Sequence, residues 1–453
     1  MSDEFDATVD VIRDRVEPDS AEREALDDAV ADLVSRTEAA VEELPVDAEI
    51  VQVGSTARDT WLAGDRDIDL FVCFPPDIER EKLEALGLQI GSEVLPDGRE
   101  EFAEHPYTVG ELDGFDVDLV PCYDVEAARE IQSAVDRTPF HTLYIADELT
   151  PKLASDVRVC KQFFTGIGVY GSNLKTRGFS GFLTELLVLE YGGFRPLLEA
   201  VADWQPPVRL DPEDHGAETF DDPLVVIDPT DPERNVAAVL SATNLARLQH
   251  FSRELLEDPR ESLFAPVEPA PLSASAIRAQ FDRRGTTPVA IQFSTPDIVD
   301  DQLWPQLERS REGIRDELDR LGFDVLRTAA FADEMAVLLF ELAVAERPAI
   351  ERHDGPPVHV REHARRFYEA YEEGDAYGPF ISDGRYVVER DREWSSAAAF
   401  LDSDALFDVA LGVRIESALE DGYDLLIGDE LGALADDFGV ELARYLSPTP
   451  RGP

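Results

Sequence analysis

The sequence predicts an α+β protein of about three domains, since 453 residues exceed what one core usually fills. Three observations carry this. Residues 67–74 and 115–120 read as strands that open with alternating acidic and apolar residues. Residues 146–262 carry mainly helical spacing. Beyond the prolines at 266, 269 and 271, apolar strand runs return around a long helical segment. The expected layout is a head over 1–145, whose mixed, antiparallel-leaning sheet is backed by helices. A mainly helical centre over 146–265 follows, and then an α+β body and tail over 266–453.

Element by element, residues 20–44 have helical periodicity and Val51-Gln52-Val53 opens the first strand. A Gly54-Ser55 turn and a short helix lead to the Asp67–Phe74 strand, and residues 78–88 read as a helix. Residues 107–112 and 115–120 read as further strands. In the centre, Leu153, Val157, Cys160 and Phe164 make one apolar stripe with Arg158 and Lys161 off it. Residues 180–191 form a second helix, stopped by Gly192-Gly193. An acidic, proline-containing loop over 206–223 precedes the apolar run 224–227, with a helix expected from about residue 233. In the last part, 289–293, 323–327 and 336–342 read as strands and 301–321 as a helix. A basic helix with Arg361, Arg365 and Arg366, a strand near 386–388 and terminal helices complete the chain.

The chemistry concentrates in two strands. Asp67 and Asp69 are two residues apart, so a strand points both carboxylates to one face. Asp116 and Asp118 repeat the pattern, with Val117 and Leu119 turned to the core. Carboxylates side by side repel unless a cation lies between them, and oxygen-only ligation suits a hard divalent ion such as Mg²⁺. The Gly-Ser turn beside the pair offers backbone N–H groups and a hydroxyl to a phosphate. A metal pair beside a phosphate cradle is the equipment of phosphoryl or nucleotidyl transfer. The competing reading is that these are solvated acids on a very acidic chain.

That acidity is itself informative. The formal charge is −55, and lysine occurs only at 82, 152, 161 and 175. A hydrophobic content of 43% with clear periodicity argues against a disordered acidic chain. Adaptation to molar intracellular salt accounts for it, because at roughly 1 M salt the Debye length is about 3 Å. Cys73, Cys122 and Cys160 lack metal spacing and are expected to be buried thiols of a cytoplasmic protein. No apolar run is long enough to span a membrane, and the acidic N-terminus does not read as a signal peptide. Against this background residues 152–177 hold Lys152, Arg158, Lys161, Lys175 and Arg177 with one acid, Asp156, a local charge of +4. This island marks either a polyanion site or a solvated helix face.

Gly54-Ser55, then Ala57-Arg58 with Thr60-Trp61-Leu62 and Gly64, then Asp67-Ile68-Asp69, resembles the signature of archaeal (class I) CCA-adding tRNA nucleotidyltransferases, of the polymerase-β-like nucleotidyltransferase superfamily. The resemblance continues through Phe140-His141-Thr142, residues 166–172, residues 228–236 and residues 355–358. It implies a nucleotidyltransferase head, a central domain closing over the nucleotide, and two Mg²⁺ ions on Asp67, Asp69 and Asp118. It implies CTP and ATP as donors and the tRNA 3′ end as acceptor. By the same resemblance Ser55 and Arg58 hold the triphosphate, and His141, Lys161 and Tyr170 make further nucleotide contacts. Read alone, Ser55 is equally a helix cap and Arg58 a surface base, while His141 reads rather as a structural histidine and Tyr170 as a packing aromatic. Arg234 follows Asp231-Pro232 at an expected helix start, where the dipole disfavours a cation by ~0.3–1 kcal/mol, so the residue either has an external anionic partner or is a benign surface base. The resemblance makes it a reader of the incoming base. Residues 352–394, with His359, His363, Arg361, Arg365 and Arg366, resemble a distal region gripping the acceptor stem and TΨC arm by shape and phosphate. Lys152, Lys175 and Arg177 are expected to assist. Self-association into a homodimer stays open. The alternatives are an AMP-only, poly(A)-type polymerase and a catalytically silent RNA-binding version of the fold.

Overall fold

The computed structural model describes residues 2–102 and 104–451. The chain divides into two compact units, Met1–Val267 and Glu268–Pro453. In chain order the first holds α1 (Ser2–Val16), α2 (Ser20–Glu42), β1 (Glu49–Val53), the one-turn α3 (Gly54–Ala57) and β2 (Asp67–Phe74). Then come α4 (Arg80–Val94), β3 (Arg99–Phe102), β4 (Pro106–Leu112), β5 (Phe115–Tyr123), α5 (Arg137–Glu148) and α6 (Pro151–Gly166). It ends with α7 (Gly181–Tyr191), α8 (Phe194–Asp203), β6 (Val208–Leu210), β7 (Leu224–Asp228), β8 (Asp231–Asn235) and α9 (Ala242–Glu257).

The five-stranded sheet has the order β1-β2-β5-β4-β3, in which only the central β2–β5 pairing is parallel. It is the mixed, antiparallel-leaning sheet expected. Its apolar face, with Ile68, Leu70, Val117 and Leu119, packs against Leu26 and Leu33 of α2 and Leu83 and Ile90 of α4. Helix α2 starts where Asp19 and Glu22 form a reciprocal capping box. A second core gathers α6 to α9 around Phe163, Leu187, Phe194 and Leu248. Helix α1 belongs to this core, through Phe5, Val9, Ile12 and Val16, although it opens the chain. Those four residues have helical spacing that the sequence reading passed over.

The helix expected from about residue 233 is a correction. Residues 231–235 are strand β8, folded back antiparallel on β7, and the next helix begins at Ala242. Asn235 explains the choice. Its buried side chain accepts from the backbone N–H groups of Val226 and Ala237 and donates to the Leu224 carbonyl, binding β8 to β7. The strand expected at 323–327 also shifts, running instead from Val325 to Ala332.

The second unit holds α10 (Ala274–Arg284), β9 (Thr287–Ser294), α11 (Asp300–Leu321), β10 (Val325–Ala332), β11 (Met335–Leu342), β12 (Ile350–Pro357) and α12 (Arg361–Tyr371). It continues with β13 (Tyr377–Ser382), β14 (Arg385–Asp391), α13 (Ala397–Leu401), α14 (Val413–Asp421), β15 (Asp424–Ile427) and α15 (Ala435–Leu446). An antiparallel sheet β10-β11-β9-β15 packs α11 on its Ile291, Leu338 and Phe340 face, and a smaller sheet β12-β14-β13 carries α12. All three cysteines are buried and unbridged. No helix among the described residues is long and apolar enough to cross a membrane.

Candidate active site

Strands β2 and β5 run in parallel register, so Asp67 lies opposite Asp116 and Asp69 opposite Asp118. Asp67 and Asp116 are exposed, whereas Asp69 and Asp118 are half-buried. Burial raises the Asp69 carboxyl to about 6, helped by the Asp118 and Asp67 carboxylates and opposed by Arg58. Asp118 is raised by burial and by Glu101, Asp67 and Asp116. Glu101, on β3, thus joins the acidic group. Nothing in the sequence marked it, because Arg-Glu-Glu-Phe lacks the apolar alternation of a strand. Gly54 stands against the same acids, where a Cβ would lie 1.9 Å from an Asp69 carboxylate oxygen. Its φ of +75° also suits glycine. The donors are all carboxylate oxygens that repel one another, which fits a hard divalent cation. Among the described residues no three such groups already converge at ligating distance.

Beside the acids lies a buried ionic cluster. Arg58 donates from Nη1 to Thr142 Oγ1 at 3.0 Å, and its Nε lies 3.0 Å from Glu185 Oε2. That contact is an ion pair without hydrogen-bond alignment. Lys161 Nζ donates to the Thr60 carbonyl at 2.9 Å and lies 3.8 Å from Glu185 Oε1. Burial pulls the Lys161 ammonium down, and Glu185 opposes this. Burial pushes the Tyr170 phenol up, as does Glu185. A Cβ on Gly181 would sit 3.3 Å from the Tyr170 hydroxyl and 3.9 Å from Lys161 Nζ, so the two share one neighbourhood. Ser55 is half-buried at the head of α3, its carbonyl accepting from Thr60 N–H. Glu185, the hub of this cluster, was not foreseen. Its apolar flanks on α7 read as core.

A third group centres on Asp228, which is fully buried at the end of β7. Its Oδ2 lies 2.8 Å from His141 Nε2 and accepts from Arg234 Nη1 at 2.7 Å. His141 stacks on Phe182 with ring centroids 3.8 Å apart. Arg234 therefore stands on a hairpin strand with an internal carboxylate partner, and the argument from a helix dipole does not hold. The three groups connect. Arg58 acts on Asp69 and is held by Thr142, the neighbour of His141.

Two of the five bases of the island are absorbed by the fold. Arg158 is buried and pairs with Glu17 at 2.5 Å and with Asp59, and Lys161 is buried against Glu185. Lys152, Lys175 and Arg177 are exposed. In the second unit Arg361, Arg365 and Arg366 are exposed on α12, with Arg365 near Glu369 and Arg366 bonded to Glu362.

Family models match three stretches of the chain. Residues 34–141 match the nucleotidyltransferase domain, 155–265 the second domain of tRNA nucleotidyltransferase, and 284–428 the C-terminal domain of the CCA-adding enzyme. A CCA-adding enzyme of Haloarcula marismortui is 62% identical, covering 99% of this chain and 100% of its own length. One of Halorubrum lacusprofundi is 56% identical over the same shares. One of Methanoregula boonei is 44% identical, covering 87% of this chain and 86% of its own length. The chain belongs to the family of CCA-adding enzymes.

Proposed function

We propose that the Asp67–Asp69–Asp118 acids, the Arg58–Lys161–Tyr170 cluster and the Arg234–His141 pair form one nucleotidyl-transfer site. There the chain adds and repairs the 3′-terminal CCA of tRNA from CTP and ATP, without a nucleic-acid template and with release of pyrophosphate. The parallel register that sets Asp69 beside Asp118 carries this reading. Divalent metal dependence belongs to the family. Here two Mg²⁺ ions are assigned to Asp67, Asp69 and Asp118, and when bound they supply a more acidic 3′-hydroxyl and counter-charge for pyrophosphate. Ser55 and Arg58 hold the triphosphate, for which the guanidinium provides charge and Gly54 leaves room, and His141, Lys161 and Tyr170 make further nucleotide contacts. Arg234 reads the base. Lys152, Lys175, Arg177, Arg361, Arg365 and Arg366 meet the phosphates of the acceptor stem and TΨC arm. The division of labour follows a head over 1–145, a central domain over 146–265 and a body and tail over 266–453.

The test uses the full chain in concentrated KCl, tRNA lacking its 3′ end, Mg²⁺ and each labelled nucleoside triphosphate. CTP incorporation followed by ATP is expected. AMP tails without CMP, or no incorporation, would overturn the reading.

A further inference from the structure

We propose that Asp228 is the positioning residue that gives this enzyme its base selection, by fixing the guanidinium of Arg234 and the ring of His141 as one rigid unit. The inference rests on the reading of Arg234 as the base reader.

Asp228 is fully buried, and a buried carboxylate persists only when its lone pairs are satisfied. All four positions are used. Oδ1 accepts from Thr230 N–H at 2.9 Å and from Thr230 Oγ1 at 2.8 Å. Oδ2 faces His141 Nε2 at 2.8 Å and accepts from Arg234 Nη1 at 2.7 Å. The carboxylate plane is thus set by the hairpin turn, and Oδ2 is aimed at a helix residue and a strand residue together. Asp228 also carries His215, whose Nε2 lies 3.0 Å from its backbone carbonyl.

Arg234 has five N–H donors, and Asp228 engages one. The other four make no hydrogen bond among the described residues, and 37% of the side chain is exposed. A guanidinium held at one corner presents a fixed row of donors and no acceptor. Cytosine and adenine both offer a bare ring nitrogen at the centre of the Watson–Crick edge, whereas uracil and guanine offer an N–H there. A fixed donor therefore admits the first two bases and rejects the others, because a donor facing a donor leaves both buried and unpaired. A guanidinium free to swing would lose that contrast. On this chain what prevents swinging is Asp228.

The experiment compares CTP with UTP at the first addition, as kcat/KM, in the wild type and in Asp228→Asn, Thr230→Val and Arg234→Ala, with pyrophosphate affinity measured by calorimetry. Asparagine keeps the shape but cannot accept on all sides. Thr230→Val removes one bond that aims the carboxylate and leaves Asp228, His141 and Arg234 in place. It also decides the matter if Asp228→Asn does not fold. Preference for CTP is expected to fall roughly ten- to a hundredfold in Asp228→Asn, and in the same direction in Thr230→Val, the scale that small misplacements of a positioned group produce. Pyrophosphate affinity is expected to be unchanged. If Arg234→Ala relaxes selection while the foldable Asp228 and Thr230 variants keep it, the role of Asp228 is overturned and the base reader stands. If Arg234→Ala itself keeps full selection, the base-reading assignment fails and this inference with it.

Discussion

At the scale of single residues, the first-unit site is governed by charges that the fold has removed from water. Glu185 is fully buried between Arg58 and Lys161, which are themselves buried, and Thr60 links it to the loop after α3. Removing one member of such a group leaves opposite charge stranded. Glu185→Ala should therefore cost about 3–5 kcal/mol, and Glu185→Gln less, because it keeps the volume and a partner for Thr60. Urea unfolding in concentrated KCl measures both, and an alanine variant as stable as wild type would refute the ionic account. The acids on β2 and β5 predict the opposite split. Asp67 is exposed and Asp118 half-buried, and each is raised by burial and neighbouring carboxylates. Asp67→Ala or Asp118→Ala should leave stability intact or slightly improved by relieving repulsion, keep tRNA binding, and abolish nucleotide addition. Near-normal turnover in either variant would remove them from the metal site.

At the scale of elements, legibility followed how local the cause was. Strands β2 and β5 were readable because acid and apolar residues alternate within each strand, and the alternation alone fixes the face. Helix α7 was readable because Ser180 caps it and Gly192, at φ 72°, ends it. The β7–β8 hairpin was not, because Asp-Pro opens helices and turns alike, and Asn235 decides only through contacts across the hairpin. The fate of two members of the basic island was hidden for the same reason. A charge count along residues 152–177 cannot include Glu17, Asp59 or Glu185, which the fold brings from elsewhere to Arg158 and Lys161. In the second unit, β11 carries a comparable long-range device. Glu341 is fully buried and receives Arg284 Nε at 2.5 Å, Thr286 Oγ1 at 2.6 Å and the Tyr445 hydroxyl at 3.0 Å. Burial pushes its carboxyl up, but these three donors together hold it below the usual range. A group with a depressed folded pKa contributes stability that is present above its unfolded pKa, about 4.3, and is lost as pH falls through the folded value. The stability advantage of wild type over Glu341→Gln should accordingly be full near neutrality and shrink steadily below about pH 4. Acid titration of both proteins at constant KCl, followed by near-ultraviolet circular dichroism, checks this. An advantage independent of pH would mean that shape rather than charge matters at Glu341.

At the scale of the whole molecule, the charge of −55 sets the conditions under which the rest operates. In dilute buffer that charge repels itself in the compact state more than in an expanded chain, and screening removes the difference. The Debye length is about 10 Å at 0.1 M salt, reaching across several surface carboxylates, and about 3 Å at 1 M, where only contacts such as those at Glu185 and Asp228 are felt. Relatives from Haloarcula and Halorubrum are 62% and 56% identical to the chain. The same screening bears on tRNA. A protein this acidic meets a polyanion only where long-range repulsion is suppressed, and two of its exposed cations, Arg365 and Arg366, already face glutamates on α12. Most nucleic-acid-binding proteins lose affinity as salt rises, because binding releases condensed counterions. Here the two effects oppose each other. Dialysis from molar KCl into dilute buffer should unfold the chain, seen as loss of far-ultraviolet helical signal. Within the range where it stays folded, tRNA affinity should fall only weakly with added KCl. A fold that survives dilute buffer with full activity, or a steep loss of tRNA affinity with salt, would show that the acidic surface is not what adapts this enzyme to its medium.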